Sequence, residues 1–454
     1  MTERILPGVY IDTHAEGLIT TQAGAVNVIG IIGTANWGPI NEVVTVGSFA
    51  EALGYFKTDD TALTLVKALE LAYANGATTV RIVRIATSSA AKATKNLLSG
   101  ATPVIKLDAK YKGAYGNNIS VVVTANAGNA SNRDVKITDG VVIETYINKA
   151  TNTEIVDAIN SQSVLVDATL LEATPLVDAA SAANLTDGNS GESVTNSDYI
   201  TGLTYLETVD VNIVNLAGQS DNALMASLEA HCQNMALVRK DRIGVGGSAL
   251  GESLSTMFAR TVKSDRFVFV APGVKMIDRI SGNEVTRAGA YAAAAICGML
   301  AKNDVQVSLT NKTLSGVSDV ETAYSDANLK DMITNNILAI KKKNGIRVTK
   351  AITTSTNSAW AQITTRRIVD YVKAGTYNAG DQFIGLLNNP RVRSALKGVL
   401  DAFLNDLFLS EVLIGYSVDV YATRADEIAG VCKVVMSIQP VFSIDYIECT
   451  IYLS

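Results

Sequence analysis

The chain has 454 residues, 48% of them hydrophobic and 18% charged, and a formal net charge of −6. That length exceeds one ordinary hydrophobic core, so about two to four domains, or one domain carrying insertions, are expected. The acidic balance argues against a nucleic-acid binder, which needs a basic face, and leaves room only for local basic patches, and the longest apolar stretch, residues 289–300 (GAYAAAAICGML), falls short of the ~20 residues that span a bilayer.

At the N-terminus, Glu3 and Arg4 stand where a secretion signal would pass from a basic region into a long apolar core, so no such signal is expected. Residues 25–85 read as strand, helices and strand. The run 26–32 (VNVIGII) is short and apolar, 48–53 and 61–74 carry helical spacing, and 78–85 (TTVRIVRI) alternates and is β-branched. The texture then changes. From 104 to 196, strand-like runs such as 119–124 and 141–147 lie between Asn, Gly and Asp clusters, ending in a polar loop at 184–195 that reads as an exposed turn. Asp187 and Glu192 in that loop do not follow calcium-loop spacing.

From 209 the pattern becomes more regular: strand 211–216, helix 221–237, strand 242–246, helix 251–263, strand 266–271 and helix 284–301. Such alternation predicts right-handed crossovers and a largely parallel sheet covered on both faces. Lys341, Lys342 and Lys343 ahead of Asn344 and Gly345 read as a helix C-terminus. Helices at 358–373 and 390–409 and strand-like runs at 414–421 and 431–453 follow. Val392, Leu396, Val399, Leu400, Phe403, Leu404 and Leu407 mark one face of helix 390–409, and Pro390 suits its first turn. The expected fold class is α/β plus α+β. An N-terminal arm (1–24) precedes an α/β sheet domain split between 25–95 and 197–344; a β-rich insertion (96–196) interrupts it, and an α+β domain (345–454) ends in the segment 441–454.

Groups able to transfer protons, attack carbon or hold a metal are scarce. There are two histidines. His14 lies in the N-terminal segment and His231 in a helix beside Leu224, Leu228 and Met235, where a structural role is expected; no HExxH spacing is present. Cys232, Cys297, Cys432 and Cys449 lack CxxC spacing and are expected as buried free thiols. In 241–252 (DRIGVGGSALGE), Gly244, Gly246 and Gly247 sit between strand and helix, where a phosphate could be cradled. The glycine order does not match GxGxxG and no Lys-Ser or Lys-Thr pair follows, which favours a tight turn. No catalytic, cofactor-binding or metal residue is expected. The pair Arg366 and Arg367 is the sharpest charged feature on an otherwise apolar helix and suits salt bridging to a neighbouring element or subunit.

Both ends of the chain are β-prone. Residues 7–12 (PGVYID) are far from the first core strand, so their backbone groups have no local partner. Residues 441–453 (VFSIDYIECTIYL) alternate with a slip. Phe442, Ile444 and Tyr446 share one face, whereas Ile447, Cys449, Ile451 and Leu453 share the other, so a bulge or a change of partner is expected near Tyr446. Pattern alone leaves open whether these ends close a sheet within their own chain.

In order along the chain stand PGVYID (7–12), GIIGTANWGPINEVVTV (30–46), VRIVRI (80–85), YKGAYGNNISV (111–121), DGNSG and YITGLTYLE (between 187 and 207), VAPG (270–273), NGIRVTKAIT and TTRRIVDYV (between 344 and 372), and the terminal IQPVFSIDYIECTIYLS. With these motifs the chain resembles the sheath proteins of contractile phage tails and tailocins. Both ends in one polypeptide favour the phage-like type over a secretion-system sheath, which is divided between two chains.

The resemblance implies a structural, non-enzymatic subunit without cofactors, in the tail sheath of a virion or tailocin assembled in the bacterial cytoplasm. Its partners would be further copies of itself, in a helical stack of hexameric rings, together with the tail tube protein and the baseplate and tail terminator proteins. It would bind no nucleic acid and meet the target membrane only indirectly. The resemblance further implies terminal arms that donate strands to neighbours, here Pro7, Gly8, Val9, Tyr10 and Ile11 at one end and Phe442, Ile444, Tyr446, Ile447, Cys449, Ile451 and Leu453 at the other. The insertion would project outward and the C-terminal domain would face the tube, with Arg391, Arg393, Lys397 and Asp401 as candidate tube contacts. Another self-assembling shell or surface-layer protein, or a nucleotide-dependent α/β enzyme, remains the alternative.

Overall fold

The computed structural model describes residues 27–57 and 63–452. The chain divides into two compact units, one comprising the described residues up to Asp370 together with 442–452, the other residues 371–441.

In the first unit an eight-stranded sheet runs in the order Ile346–Val348, Leu338–Lys342, Phe267–Ala271, Ile243–Gly247, Ile213–Leu216, Val28–Gly33, Thr79–Arg84 and Val43–Val46. The six inner strands are parallel and the two edge strands antiparallel. The fully buried runs VIGIIG and FVFVA are what a parallel strand covered on both faces requires. One face is packed by Leu65–Ala74 and the Ala-rich Gly289–Lys302, the other by Asn196–Leu206 and Asn222–Leu237.

Strands 28–33 and 213–216 are neighbours although about 180 residues separate them in sequence. Between them, Thr94–Ser99, Thr102–Ala109 and Val166–Leu170 form a three-stranded sheet, and Ala180–Asn184, Ser120–Ala125, Arg133–Thr138 and Ile143–Lys149 a four-stranded one. These enclose a separate apolar core with Trp37, Ile105, Val121, Ile137 and Ile155.

Several expectations are corrected. Lys341–Lys343 do not end a helix: Leu338–Lys342 and Ile346–Val348 form a hairpin, with Asn344 at φ 49° and Gly345 at φ 99° in the turn. Asn-Gly supplies the two positive φ values such a turn demands. Residues 346–348 pair with the sheet, and the second compact unit starts at Tyr371. The helix expected from 284 begins at Gly289, because Glu284–Arg287 is a strand paired with Val274–Ile277. The helix expected at 251–263 is only Leu254–Phe258. The 184–195 loop is not wholly exposed: Ser190 is buried, its carbonyl accepting from the Arg84 guanidinium and its hydroxyl from the Ala114 N–H. Cys232 and Cys297 are buried as expected, but Cys432 and Cys449 are exposed.

In the second unit, helix Pro390–Leu409 matches the expected bounds. Asn389 caps it, accepting from the Val392 N–H, and Pro390 sits in its first turn. It buries Leu396, Leu400, Phe403, Leu404 and Leu407, each side chain contributing about 1.5–3 kcal/mol. That face packs on Leu413–Tyr421, which among the described residues pairs only with Lys433–Pro440.

Candidate assembly surfaces

Buried polar groups are the first place to seek chemistry. Arg84 is fully buried and donates to the carbonyls of Gly38, Lys112 and Ser190, at 2.7, 2.7 and 3.4 Å. Burial lowers its pKa to about 10. Three loops distant in sequence are thereby tied at one cation, beside Trp37 packed edge-on to Tyr111 and Tyr115. Sequence reasoning missed this junction, because an arginine in an alternating strand reads as an exposed side chain.

His231 is also structural. Its Nε2 accepts from the Arg242 guanidinium at 2.9 Å, and Nδ1 lies 3.9 Å from a Glu207 oxygen. Burial, helped by Arg242, lowers its pKa from 6.5 to about 4. The neutral ring is therefore worth stability that is complete above pH 6.5 and disappears as pH falls through 4, about 3 kcal/mol in all. His231→Gln is expected to flatten the difference in unfolding free energy between pH 7 and pH 4. An unchanged slope in urea titrations would show that the ring is not held neutral. His14 lies outside the described residues.

The glycines of 241–252 serve packing. A Cβ on Gly246 would lie 2.2 Å from the Met225 sulfur, and one on Gly247 2.2 Å from the Gly289 carbonyl oxygen. The place a phosphate would take is filled by the start of helix Gly289–Lys302. Among the described residues no three His, Cys, Asp or Glu side chains group as a metal site, and no helix is long and apolar enough to cross a membrane.

Arg366 and Arg367 both find partners inside the first unit. Arg366 pairs with Asp265 at 2.9 Å and Asp370 at 2.7 Å and stacks 4.6 Å over the Trp360 ring. Arg367 donates to the Asn303 and Asp304 carbonyls just past helix Gly289–Lys302, where a cation complements the helix dipole.

The surface carries the unusual features. Residues 442–452 belong to the first unit and, among the described residues, have no strand partner. Ser443 and Asp445 turn inward, while Phe442, Ile444 and Tyr446 turn outward, Ile444 being 81% exposed; beyond them Ile447 is 86% exposed and Tyr452 89%. Leu453 and the arm residues Pro7, Gly8, Val9, Tyr10 and Ile11 lie outside the described residues. In the second unit, Ile384, Leu386, Leu387, Leu409 and Ile414 are exposed, and among the described residues no strand pairs with either outer edge of the two-stranded ribbon. A two-stranded ribbon on its own is marginal in water, and an open edge is a template for a further strand.

The residues of helix 390–409 separate into two kinds. Arg393 is half-buried and donates to Glu427 and to Asn388 at 3.0 and 2.8 Å, so it braces its own unit. Lys397 reaches Asp419 at 3.1 Å, and the Asp401 carbonyl accepts from the Tyr416 hydroxyl. Arg391 is exposed.

Open sheet edges, an outward-facing apolar terminal segment and a surface rich in large apolar side chains define a chain built for association. Comparison with known proteins gives the family. The model for "Phage tail sheath protein central domain" matches residues 192–354, "Phage tail sheath C-terminal domain" matches 355–454, and "Tail sheath protein Gp18 domain III N-terminal region" matches 28–85. The chain belongs to the phage tail sheath protein family. It is 23% identical over 514 aligned positions to the tail sheath protein of Bacillus phage SP01, covering 90% of this chain and 89% of that one. Among solved structures it is similar to a sheath tail protein from Desulfitobacterium hafniense, with TM-score 0.72, 21% identity and coverage of 96% and 100%. It is also similar to the anti-feeding prophage helical sheath in its contracted state, with TM-score 0.61, 14% identity and 99% of each chain covered.

Proposed function

We propose that this chain is the structural subunit of a contractile tail sheath, polymerising helically around an inner tube and driving that tube through a cell envelope when it contracts. The observation that carries the reading is the combination, in a chain of the sheath family, of an outward-facing apolar terminal segment with a two-stranded ribbon to whose edges no described strand adds. Strand addition would satisfy the ribbon's backbone groups and cover its apolar side chains. A contact of that kind between different surfaces of identical copies generates an open helix when it does not close into a ring.

In this reading the terminal arms tether neighbours while the other interfaces repack on contraction. The parallel sheet forms the wall, the two sheets between residues 94 and 184 project outward, and the C-terminal unit faces the tube. The work is mechanical and calls for no cofactor or catalytic residue. Negative-stain microscopy of the purified protein tests it: hollow cylinders are expected, whereas flat sheets or closed cages would replace it with a shell or surface-layer role.

The tube contact is assigned to the exposed end of helix 390–409. Arg391→Glu is expected to weaken tube-templated assembly several-fold while leaving the melting temperature unchanged, a change of side-chain charge at a solvated site. Arg393→Glu is expected to lower the melting temperature, because it sets like charges against Glu427. Co-sedimentation with preformed tubes, beside thermal denaturation, checks both. Normal templating by Arg391→Glu would place the tube contact elsewhere.

A further inference from the structure

The C-terminal segment is not simply loose. Asp445, 11% exposed, lies 3.4 Å from the Lys350 ammonium, and its carboxylate accepts from the Gln362 amide at 3.3 Å and the Thr310 hydroxyl at 3.5 Å. The Ser443 N–H donates to the Gln362 side-chain oxygen at 3.3 Å. Lys350 also donates to the Tyr446 hydroxyl at 3.3 Å and sits 5.0 Å from that ring's centroid. Burial opposes the Lys350 charge, but Tyr446 and Asp445 outweigh it and raise its pKa. These contacts end at Tyr446, the position where the apolar alternation changes face.

We propose that Thr310, Lys350 and Gln362 form a latch for Asp445, fixing the point from which residues 447–454 are presented to a neighbouring copy of this chain. The inference rests on the strand-donating role of the arm. Its inward side chains are polar and its outward ones apolar, the reverse of a segment settling onto its own core, so the latch holds the segment by its polar edge and leaves the apolar face for the partner. Position follows from chain statistics. With the latch closed, the donated strand starts directly at its anchor. With it open, the segment hangs from residue 441 and gains about five residues of slack, roughly 17 Å at strand rise. Effective concentration at the neighbour's edge falls steeply with such slack.

The test uses the full chain with Cys432→Ser, so that a dye attaches at the exposed Cys449, and compares Asp445→Asn, Lys350→Met, and deletion of 447–454 without dye. Asp445→Asn and Lys350→Met are each expected to lower the dye's fluorescence anisotropy in the labelled monomer and, in unlabelled protein, to raise the critical concentration for polymerisation about three- to tenfold. The deletion is expected to raise it about a thousandfold. If the deletion weakens assembly but neither substitution changes anisotropy, the arm reading stands and the latch is refuted. If anisotropy falls while the critical concentration holds, the latch exists but does not position the strand, which also overturns the proposal. Normal polymerisation of the deletion variant refutes the arm reading itself, and with it the purpose assigned to the latch.

Discussion

Deleting residues 447–454 is expected to leave a folded monomer whose polymerisation requires about a thousandfold higher concentration. The size follows from strand addition. An eight-residue strand makes about four ladder hydrogen bonds to one edge, each worth about 0.5–1.5 kcal/mol net. Ile447, Ile451 and Tyr452, all largely exposed in the monomer, add buried area on association. A combined loss near 4 kcal/mol corresponds to about three powers of ten. The monomer keeps its fold because nothing beyond Tyr446 contributes to the described cores. Sedimentation velocity with circular dichroism measures both halves of the claim. Deleting residues 1–12 is expected to behave alike, and sheath-like cylinders from either truncation would remove the arms from the mechanism.

The sequence made the interior more legible than the surface. Helix 390–409 was readable to the residue because an amphipathic face and Pro390 point to one register, which the Asn389 cap in the structure shares. Five of the six inner parallel strands were readable from short apolar or β-branched runs. The 338–348 hairpin was not, since Lys341–Lys343 followed by Asn344 and Gly345 imitate a helix end, and Asn-Gly serves a helix cap and a hairpin turn alike. Partners are harder still. Alternation in 441–453 shows that two faces differ, but gives neither Lys350 nor Gln362 as what the polar face meets. Arg84, Arg242 and Arg266 were invisible as buried residues for a related reason: a charge is placed inside only by carbonyls or carboxylates supplied from distant sequence.

Arg266 illustrates that dependence and gives the second large effect. Its guanidinium binds both oxygens of Asp370, at 2.9 and 3.0 Å, and Asp241 at 2.6 Å. Burial works against its charge, but Asp370, Asp241 and Asp265 outweigh this and raise its pKa. Asp370 in turn holds Arg366, so the first two turns of helix Ile363–Asp381 are fastened to the start of strand Phe267–Ala271 by charge pairs shielded from water. Such a network gains little over an apolar core of the same shape, yet losing one member strands the others without a partner. Arg266→Met is therefore expected to destabilise the first unit by about 3–5 kcal/mol. Urea unfolding of the 447–454 deletion variant, which avoids polymerisation, reads this directly. Arg266→Met combined with Asp370→Leu and Arg366→Leu is expected to recover part of the loss, because Asp370 and Arg366 are no longer stranded while Asp241 and Asp265 keep their charges. A single-substitution loss under about 1 kcal/mol would mean that water reaches the network and screens it as at a surface.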